Sequence, residues 1–256
     1  MLEARQLSLS IAEFALLQNI DLQINPGKVT AILGPNGAGK TSLLRLLTGE
    51  SLPSSGEVIF NGAPLCQWQP KQRAKILSVL PQGSQLNFPF TAREVVMMGR
   101  IPHATGLIKD TEIVDAALNA VGGSYLDKRF YTQMSGGEKQ RVQLARVLAQ
   151  IWEADVSGDR FLILDEPTSA FDLAHQQLTL KIVRDFACQG VGVLMVIHDL
   201  NLAAGCADQL VMLNCGQIAA QGTPEAVLTT EMIQNVFNVD ASIGVHPKTG
   251  APLVIV

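Results

Sequence analysis

Hydrophobic and polar positions alternate in part over residues 5–11 and 20–24, a period that predicts two strands of an antiparallel edge. A different pattern follows. Lys28-Val-Thr-Ala-Ile-Leu33 is a short apolar run that ends in a glycine-rich turn at Gly34. Beyond the turn, Leu43, Leu44, Leu46 and Leu47 cluster on one side of a predicted helix. Strand, glycine loop and helix together predict the opening of a βα unit. Further apolar runs predict strands over 57–60, 76–80, 161–165, 192–197 and 209–213, with helical signals between most of them. That order points to an α/β fold whose sheet is largely parallel and covered by helices on both faces. Residues 90–149 break the pattern. Segments 112–121 and 138–150 read as helices, Pro102 and Gly122-Gly123 punctuate them, and no strand is evident. We therefore expect one domain over 1–256, with a core of 1–89 and 150–256 and an inserted helical lobe of 90–149. His246-Pro247-Lys248-Thr249-Gly250 is a turn between apolar flanks and predicts a small hairpin.

Composition narrows the function classes. Of 256 residues, 47% are hydrophobic and 16% charged, which suits one large domain with a rich core. A net charge of -4 and a pI near 5.6 argue against a nucleic-acid partner, which selects a basic surface. Met1 to Gln6 holds Glu3 and Arg5 without a long apolar run, so no secretory signal is expected. No apolar run approaches the roughly 20 residues that a spanning helix needs, so any membrane link is expected to come through a partner. Cys66, Cys188, Cys206 and Cys215 show no C-x-x-C spacing and are expected to be reduced packing residues in a cytoplasmic protein.

The strongest local pattern is Gly34-Pro35-Asn36-Gly37-Ala38-Gly39-Lys40-Thr41, followed by Ser42. It fits G-x-x-x-x-G-K-[ST] at every fixed position. Glycines let the backbone turn tightly and aim several N–H groups at one point, and the following helix adds the positive end of its dipole. Lys40 supplies a point charge for the β- and γ-phosphates, and the Thr41 hydroxyl can ligate Mg²⁺. Average composition would bring the four fixed positions together in about 1% of chains this long, so chance is the weaker reading. Downstream, Phe161-Leu-Ile-Leu-Asp165-Glu166 is an apolar run that ends in two carboxylates. A buried strand reads this way, and ligands bind at the carboxyl ends of such strands. Two acids could merely end a strand. Their position 165 − 40 = 125 residues beyond the lysine, with room for the lobe between, favours chemistry. Asp165 is then expected in the Mg²⁺ shell and Glu166 as general base toward water.

Phosphate cradles of this kind occur in kinases, GTPases and motors. Ser135-Gly136-Gly137-Glu138-Lys-Gln-Arg141 chooses among them. It resembles the LSGGQ-type signature of ABC (ATP-binding cassette) ATPases, with Met134 where leucine is usual and Glu138 where glutamine is commonest. Serine before a helix and glutamate three residues later is also a plain capping sequence, and both readings can hold at once. The resemblance covers the whole chain. It implies a homodimer in which each signature caps the nucleotide held by the partner's Lys40 loop. It also implies roles for Gln82, which would touch Mg²⁺ and water and sense a permease, and for Ser169 and Asp172 in a dimer-facing loop where Phe171 departs from the usual leucine. His198, in Val-Ile-His198-Asp199, resembles the switch histidine that contacts the γ-phosphate. The implied catalytic set is Glu166, His198 and Gln82; the implied metal set is Thr41, Gln82 and Asp165; the implied cofactors are ATP and Mg²⁺. The family usually stacks an aromatic ring on adenine, and Ile11 and Phe14 stand near that place. His103, His175 and His246 are given no catalytic role.

A single cradle with no coiled-coil insertion resembles the separate cassettes of bacterial importers. Thr91-x-x-Glu94-x-Val96-x-x-Gly99-Arg100-x-Pro102-His103 is similar to the branch that energises uptake of iron–siderophores, haem and vitamin B12. Phe88-Pro-Phe90, the insertion 151–160 and Asp172-Leu-Ala-His175-Gln are most similar to haem (hemin) importer ATPases. These segments could equally be lobe packing, since the motor does not touch the cargo. The resemblance implies a peripheral protein on the cytoplasmic face of the bacterial inner membrane. Its partners would be two permease copies and, indirectly, a periplasmic substrate-binding protein. A siderophore or vitamin B12 motor, a membrane-free ABC ATPase and a small-molecule kinase are the alternatives.

Overall fold

The computed structural model describes every residue except 13, 84, 85 and 170. The chain runs β1 (Leu2–Ile11), β2 (Phe14–Ile24), β3 (Val29–Leu33), α1 (Lys40–Leu47), β4 (Ser55–Phe60), β5 (Ala63–Pro64), α2 (Pro70–Ile76) and β6 (Leu77–Leu80). The lobe follows with α3 (Ala92–Met97), α4 (Leu107–Ala120) and α5 (Gly136–Gln150). The chain then returns through β7 (Phe161–Asp165), α6 (Leu173–Cys188), β8 (Gly192–Val196), α7 (Leu200–Cys206), β9 (Gln209–Asn214) and β10 (Gln217–Gly222). It closes with α8 (Pro224–Val227), α9 (Thr230–Phe237), β11 (Ser242–Val245) and β12 (Pro252–Ile255).

The central sheet has the order β10-β9-β3-β8-β7-β6, parallel throughout except for the β9–β10 hairpin. Every residue of β3, β7 and β8 is buried, as expected of strands covered on both faces. Successive side chains go to opposite sides. Phe161 and Ile163 join the core beneath α1, where the predicted Leu43, Leu44, Leu46 and Leu47 are all buried. Leu162 and Leu164 join the larger core shared with the lobe helices and α6. The outcome is three parallel strands whose carboxyl ends open side by side.

Three expectations need correction. Residues 57–60 do not enter the parallel sheet. They form β4, which pairs antiparallel with β1 (Leu2↔Phe60) in a second sheet of order β2-β1-β4-β5. The Ser54 N–H donates to the Ser8 carbonyl at 2.8 Å and seats the incoming strand on β1 rather than beside β3. Of the four cysteines, only Cys206 is a packing residue; Cys66, Cys188 and Cys215 are exposed. Burial pushes the Cys206 thiol up to about 12, so it stays protonated. The predicted strand 76–80 also loses its first residue, because Ile76 closes α2.

Residues 90–149 hold α3, α4 and most of α5, with a lone bridge, Thr91↔Phe130, as the only sheet-like pairing among the described residues. The Gly99-Arg100-x-Pro102-His103 motif is the staple of this lobe. A Cβ on Gly99 would lie 2.2 Å from the Arg146 carbonyl oxygen, so only glycine lets the turn meet α5 this closely. Arg100 is buried and donates to Asp110 (2.8 Å), the Ala149 carbonyl (2.8 Å) and the Thr105 hydroxyl (3.1 Å). His103 Nε2 meets the Gln150 carbonyl at 2.7 Å, and burial holds its pKa below the usual histidine value. The lobe-packing reading of this motif therefore accounts for each of its fixed polar residues. No helix among the described residues is long and apolar enough to cross a membrane. The predicted C-terminal hairpin forms as β11–β12, its turn held by Lys248 and Thr249 N–H groups donating to His246 Nδ1.

Candidate functional site

The loop from β3 into α1 carries three left-handed glycines: Gly34 (φ 151°), Gly37 (80°) and Gly39 (102°). Gly34 also lies against β9, where a Cβ would come within 2.1 Å of the Leu213 carbonyl oxygen. Gly39 caps α1 without a side-chain hydrogen bond, which leaves the first-turn N–H groups to a ligand. Ser42 lies in that first turn, half-buried. Pro35 and Asn36 form the outer rim, and Ala38 fastens the loop inward, its N–H donating to the Pro35 carbonyl and its carbonyl accepting from Gly216 N–H. Lys40 is buried and folds back across this loop, its Nζ donating to the carbonyls of Gly34 (2.8 Å) and Pro35 (2.9 Å). Desolvation lowers its pKa, and Glu166 and Asp165 oppose that shift. The ammonium thus spans the cradle, held by weak neutral acceptors that a phosphate can replace.

Beside it, the carboxyl end of β7 presents Asp165 and Glu166. Asp165 is 5% exposed, with Oδ2 accepting from the Thr41 hydroxyl at 3.2 Å. Its Oδ1 is buried and has no hydrogen-bond partner among the described residues. Desolvation raises its pKa, and the neighbouring Glu166 charge adds to the rise. Thr41, Asp165 and Gln82 line one cleft of about 250 Å³, with Gln82 on the exposed side. These are oxygen donors, as Mg²⁺ prefers, and the orphaned Oδ1 is an open lone pair for it. The protein offers too few ligands to hold the ion alone, which is the usual arrangement when phosphates supply the rest.

Glu166 adopts φ 51°, a left-handed conformation that costs on the order of 1 kcal/mol in a residue other than glycine. The turn swings its side chain toward the end of β8, where Glu166 Oε1 meets His198 Nε2 at 2.6 Å. Its backbone is held from three sides. The Glu166 N–H donates to the Val196 carbonyl (3.2 Å), and its carbonyl accepts from the Ser169 hydroxyl (3.1 Å) and from Gln140 Nε2 (3.3 Å). Gln140 also donates to the Pro167 carbonyl at 2.9 Å, which ties the lobe helix α5 to the turn that carries Glu166. Sequence reasoning missed Gln140. The available signal was its place one turn into α5, on the face next to Arg141 and the buried Leu144.

Ser135 and Glu138 form a complete capping box at the start of α5: Ser135 N–H and hydroxyl donate to Glu138 Oε2 (2.8 and 2.9 Å), and Glu138 N–H donates back to Ser135 Oγ (3.3 Å). Gly136 and Gly137 are the first two residues of that helix, with their N–H groups at its positive end. Asp172 caps α6, accepting from both the N–H and Nδ1 of His175, and those bonds hold its carboxyl below the usual range. Ala170, between Ser169 and Asp172, lies outside the described residues, as do Ser84 and Gln85 of the segment after Gln82. Ile11 and Phe14 face each other across the tip of the β1–β2 hairpin, 63% and 71% exposed, an apolar platform open to solvent.

A family model described as ABC transporter matches residues 17–169. The hemin import ATP-binding protein HmuV of Gloeobacter violaceus is 48% identical over 257 residues, spanning 100% of this chain and 94% of that protein. HmuV of Pseudomonas entomophila is 48% identical over 255 residues, spanning 100% and 99%. Among solved structures, a metal-chelate type ABC transporter in an inward-facing conformation superimposes with a TM-score of 0.80 at 27% identity, covering 99% of this chain and 96% of that one. The chain belongs to the ABC transporter family, among its ATP-hydrolysing cassettes.

Proposed function

We propose that this chain is the ATP-hydrolysing subunit of a bacterial haem importer, a homodimer beneath two permease copies that a periplasmic binding protein supplies. It would work on the cytoplasmic face of the inner membrane. The observation that carries the reading is the convergence of Lys40, Thr41, Asp165, Glu166 and His198 at the ends of the adjacent strands β3, β7 and β8. The cargo rests on the relatives, both named for hemin import.

Residues 34–42 would hold the phosphates, with Lys40 exchanging its two carbonyl partners for phosphate oxygens. Phe14, or the weaker apolar contact of Ile11, would meet the adenine. Thr41, Asp165 and Gln82 would hold Mg²⁺, which when bound neutralises charge on the β- and γ-phosphates. Glu166 takes a proton from the attacking water as that water's oxygen bonds to the γ-phosphorus and the bond to ADP breaks. His198, now on Glu166, would turn to the γ-phosphate. Ser135, Gly136, Gly137 and Glu138 would face the nucleotide of the partner subunit, with Ser169 and Asp172 at the dimer contact. Residues 1–89 and 150–256 would move as the core and 90–149 as the lobe, with a permease helix docked beside Gln82 and residues 88–103. The closed dimer persists only while both γ-phosphates bridge it, which gives the cycle its direction.

Glu166→Gln tests the chemistry. It should keep ATP binding, lower turnover at least about a hundredfold and trap a dimer by sedimentation velocity; turnover at the wild-type rate removes Glu166 as base. Ser135→Arg should bind ATP yet stay monomeric, and an unchanged dimer sinks the sandwich. The competing cargoes are a ferric siderophore and vitamin B12, which the resemblance of residues 91–103 leaves open.

A further inference from the structure

The signature of this chain carries an acid where a neutral amide would serve. As a helix cap, glutamine and glutamate are equivalent at this position. As part of a phosphate cradle they are not, because a carboxylate beside Ser135 repels the phosphate that the serine is to receive. The structure shows a counter-charge in place. Arg129 Nη1 donates to Glu138 Oε1 at 2.6 Å, on the oxygen turned away from the capping serine. The Tyr125 hydroxyl lies 3.5 Å from the same oxygen and accepts from Arg141 Nη2 at 2.6 Å. Hydrogen bonds from Ser135 hold the Glu138 carboxyl below the usual range, so it carries its charge at neutral pH. Arg129 is itself fixed by backbone pairing, its N–H donating to the Leu126 carbonyl and its carbonyl accepting from the N–H of Ala92 at the start of α3.

We propose that Arg129 is a positioning residue for nucleotide-driven dimer closure, acting by neutralising Glu138 so that the Ser135 hydroxyl can donate to a phosphate oxygen. This rests on the signature being a phosphate cradle. The Ser135 hydroxyl now donates its hydrogen bond to Glu138 Oε2 and must donate it to a phosphate oxygen instead. With Arg129 bonded to the other oxygen, the carboxylate is a weaker acceptor and its field on the incoming anion is reduced. Without Arg129, the same exchange places an uncompensated anion against the phosphate. An exposed ion pair adds little to folding, so the effect belongs to closure.

The experiment is a double-mutant cycle on ATP-dependent dimerisation, in the Glu166→Gln background and by sedimentation velocity. Arg129→Gln should weaken dimerisation about tenfold at low salt, a single-charge effect at close range. That loss should shrink at higher ionic strength. In a chain that carries Glu138→Gln, the same Arg129→Gln change should cost less than about twofold, because no charge remains to neutralise. Arg129→Lys should restore most of the dimer in the Glu138 chain. An equal loss in both chains means that Arg129 only braces the lobe, and no loss in either means that its charge is irrelevant; both overturn the proposal. Ser135→Arg serves as a separate control. If it leaves the dimer intact, the cradle reading itself fails, whatever the cycle shows.

Discussion

Asp165→Asn should make the nucleotide-free protein more stable while destroying its response to Mg²⁺ and ATP. Asp165 is 5% exposed, keeps a single hydrogen bond from Thr41 at 3.2 Å and leaves Oδ1 without a partner among the described residues. A buried acceptor left open costs about 1–3 kcal/mol and more when it is charged, and the adjacent Glu166 adds like charge. The Lys40 ammonium offsets part of this, but its Nζ is bonded to the carbonyls of Gly34 and Pro35 rather than to Asp165. A net relief of about 1–2 kcal/mol remains on removing the charge, which raises the melting temperature of a chain this size by about 3–6 °C. The sign with pH follows from the raised pKa. Stability tied to Asp165 is complete below its ordinary value of 3.8 and is lost as pH rises through the higher folded-state value. The advantage of the Asn variant should therefore stand at neutral pH and close as pH falls toward 3.8. Scanning calorimetry without nucleotide reads this directly. Adding ATP and Mg²⁺ should reverse the order, because the wild type gains stability by ligand linkage and the variant does not. A variant that melts at or below the wild type without nucleotide would refute the account of a strained, ligand-ready carboxylate.

Two further substitutions test the frame of the site. Gly34→Ala would set a Cβ 2.1 Å from the Leu213 carbonyl oxygen, so ATP affinity should fall at least about tenfold with a stability loss of about 1–3 kcal/mol; wild-type values in titration and urea unfolding would show that the loop is looser than described. Arg100→Met would strand the Ala149 carbonyl and leave Asp110 only its hydrogen bond from Thr105, and should cost about 2–4 kcal/mol in urea unfolding. Its ATP affinity, measured well below the melting range, should not change, since Arg100 lies in the lobe and not in the cradle.

The candidate site of this chain was legible where it is local in sequence. Residues 34–42, Asp165-Glu166 and 135–138 each sit in a short pattern whose spacing follows from backbone geometry, and each lies on the element expected for it. Partner choice was not legible. The pattern in 57–60 identifies a strand but cannot say whether it pairs with β1 or β3, and the expected sheet is the wrong one. Gln140 reaches Glu166 across 26 residues and Arg100 reaches Ala149 across 49, so neither contact leaves a local trace. Glu138 was visible as a departure from the usual signature, but its partner Arg129 was not, because the loop that brings them together has no period. The Gly99-to-His103 motif gave a cargo hint by resemblance, whereas the fold uses Gly99, Arg100 and His103 to join the lobe.

The central claim, an ATP-driven motor for haem uptake, is tested most directly by growth on haemin as sole iron source. A bacterium that carries this chain would have Glu166→Gln in place of the wild type, with no second haem uptake route. The account predicts failure on haemin and normal growth on inorganic iron and on ferric siderophores. Normal growth on haemin together with failure on a siderophore would contradict the cargo and assign the motor to siderophore uptake instead.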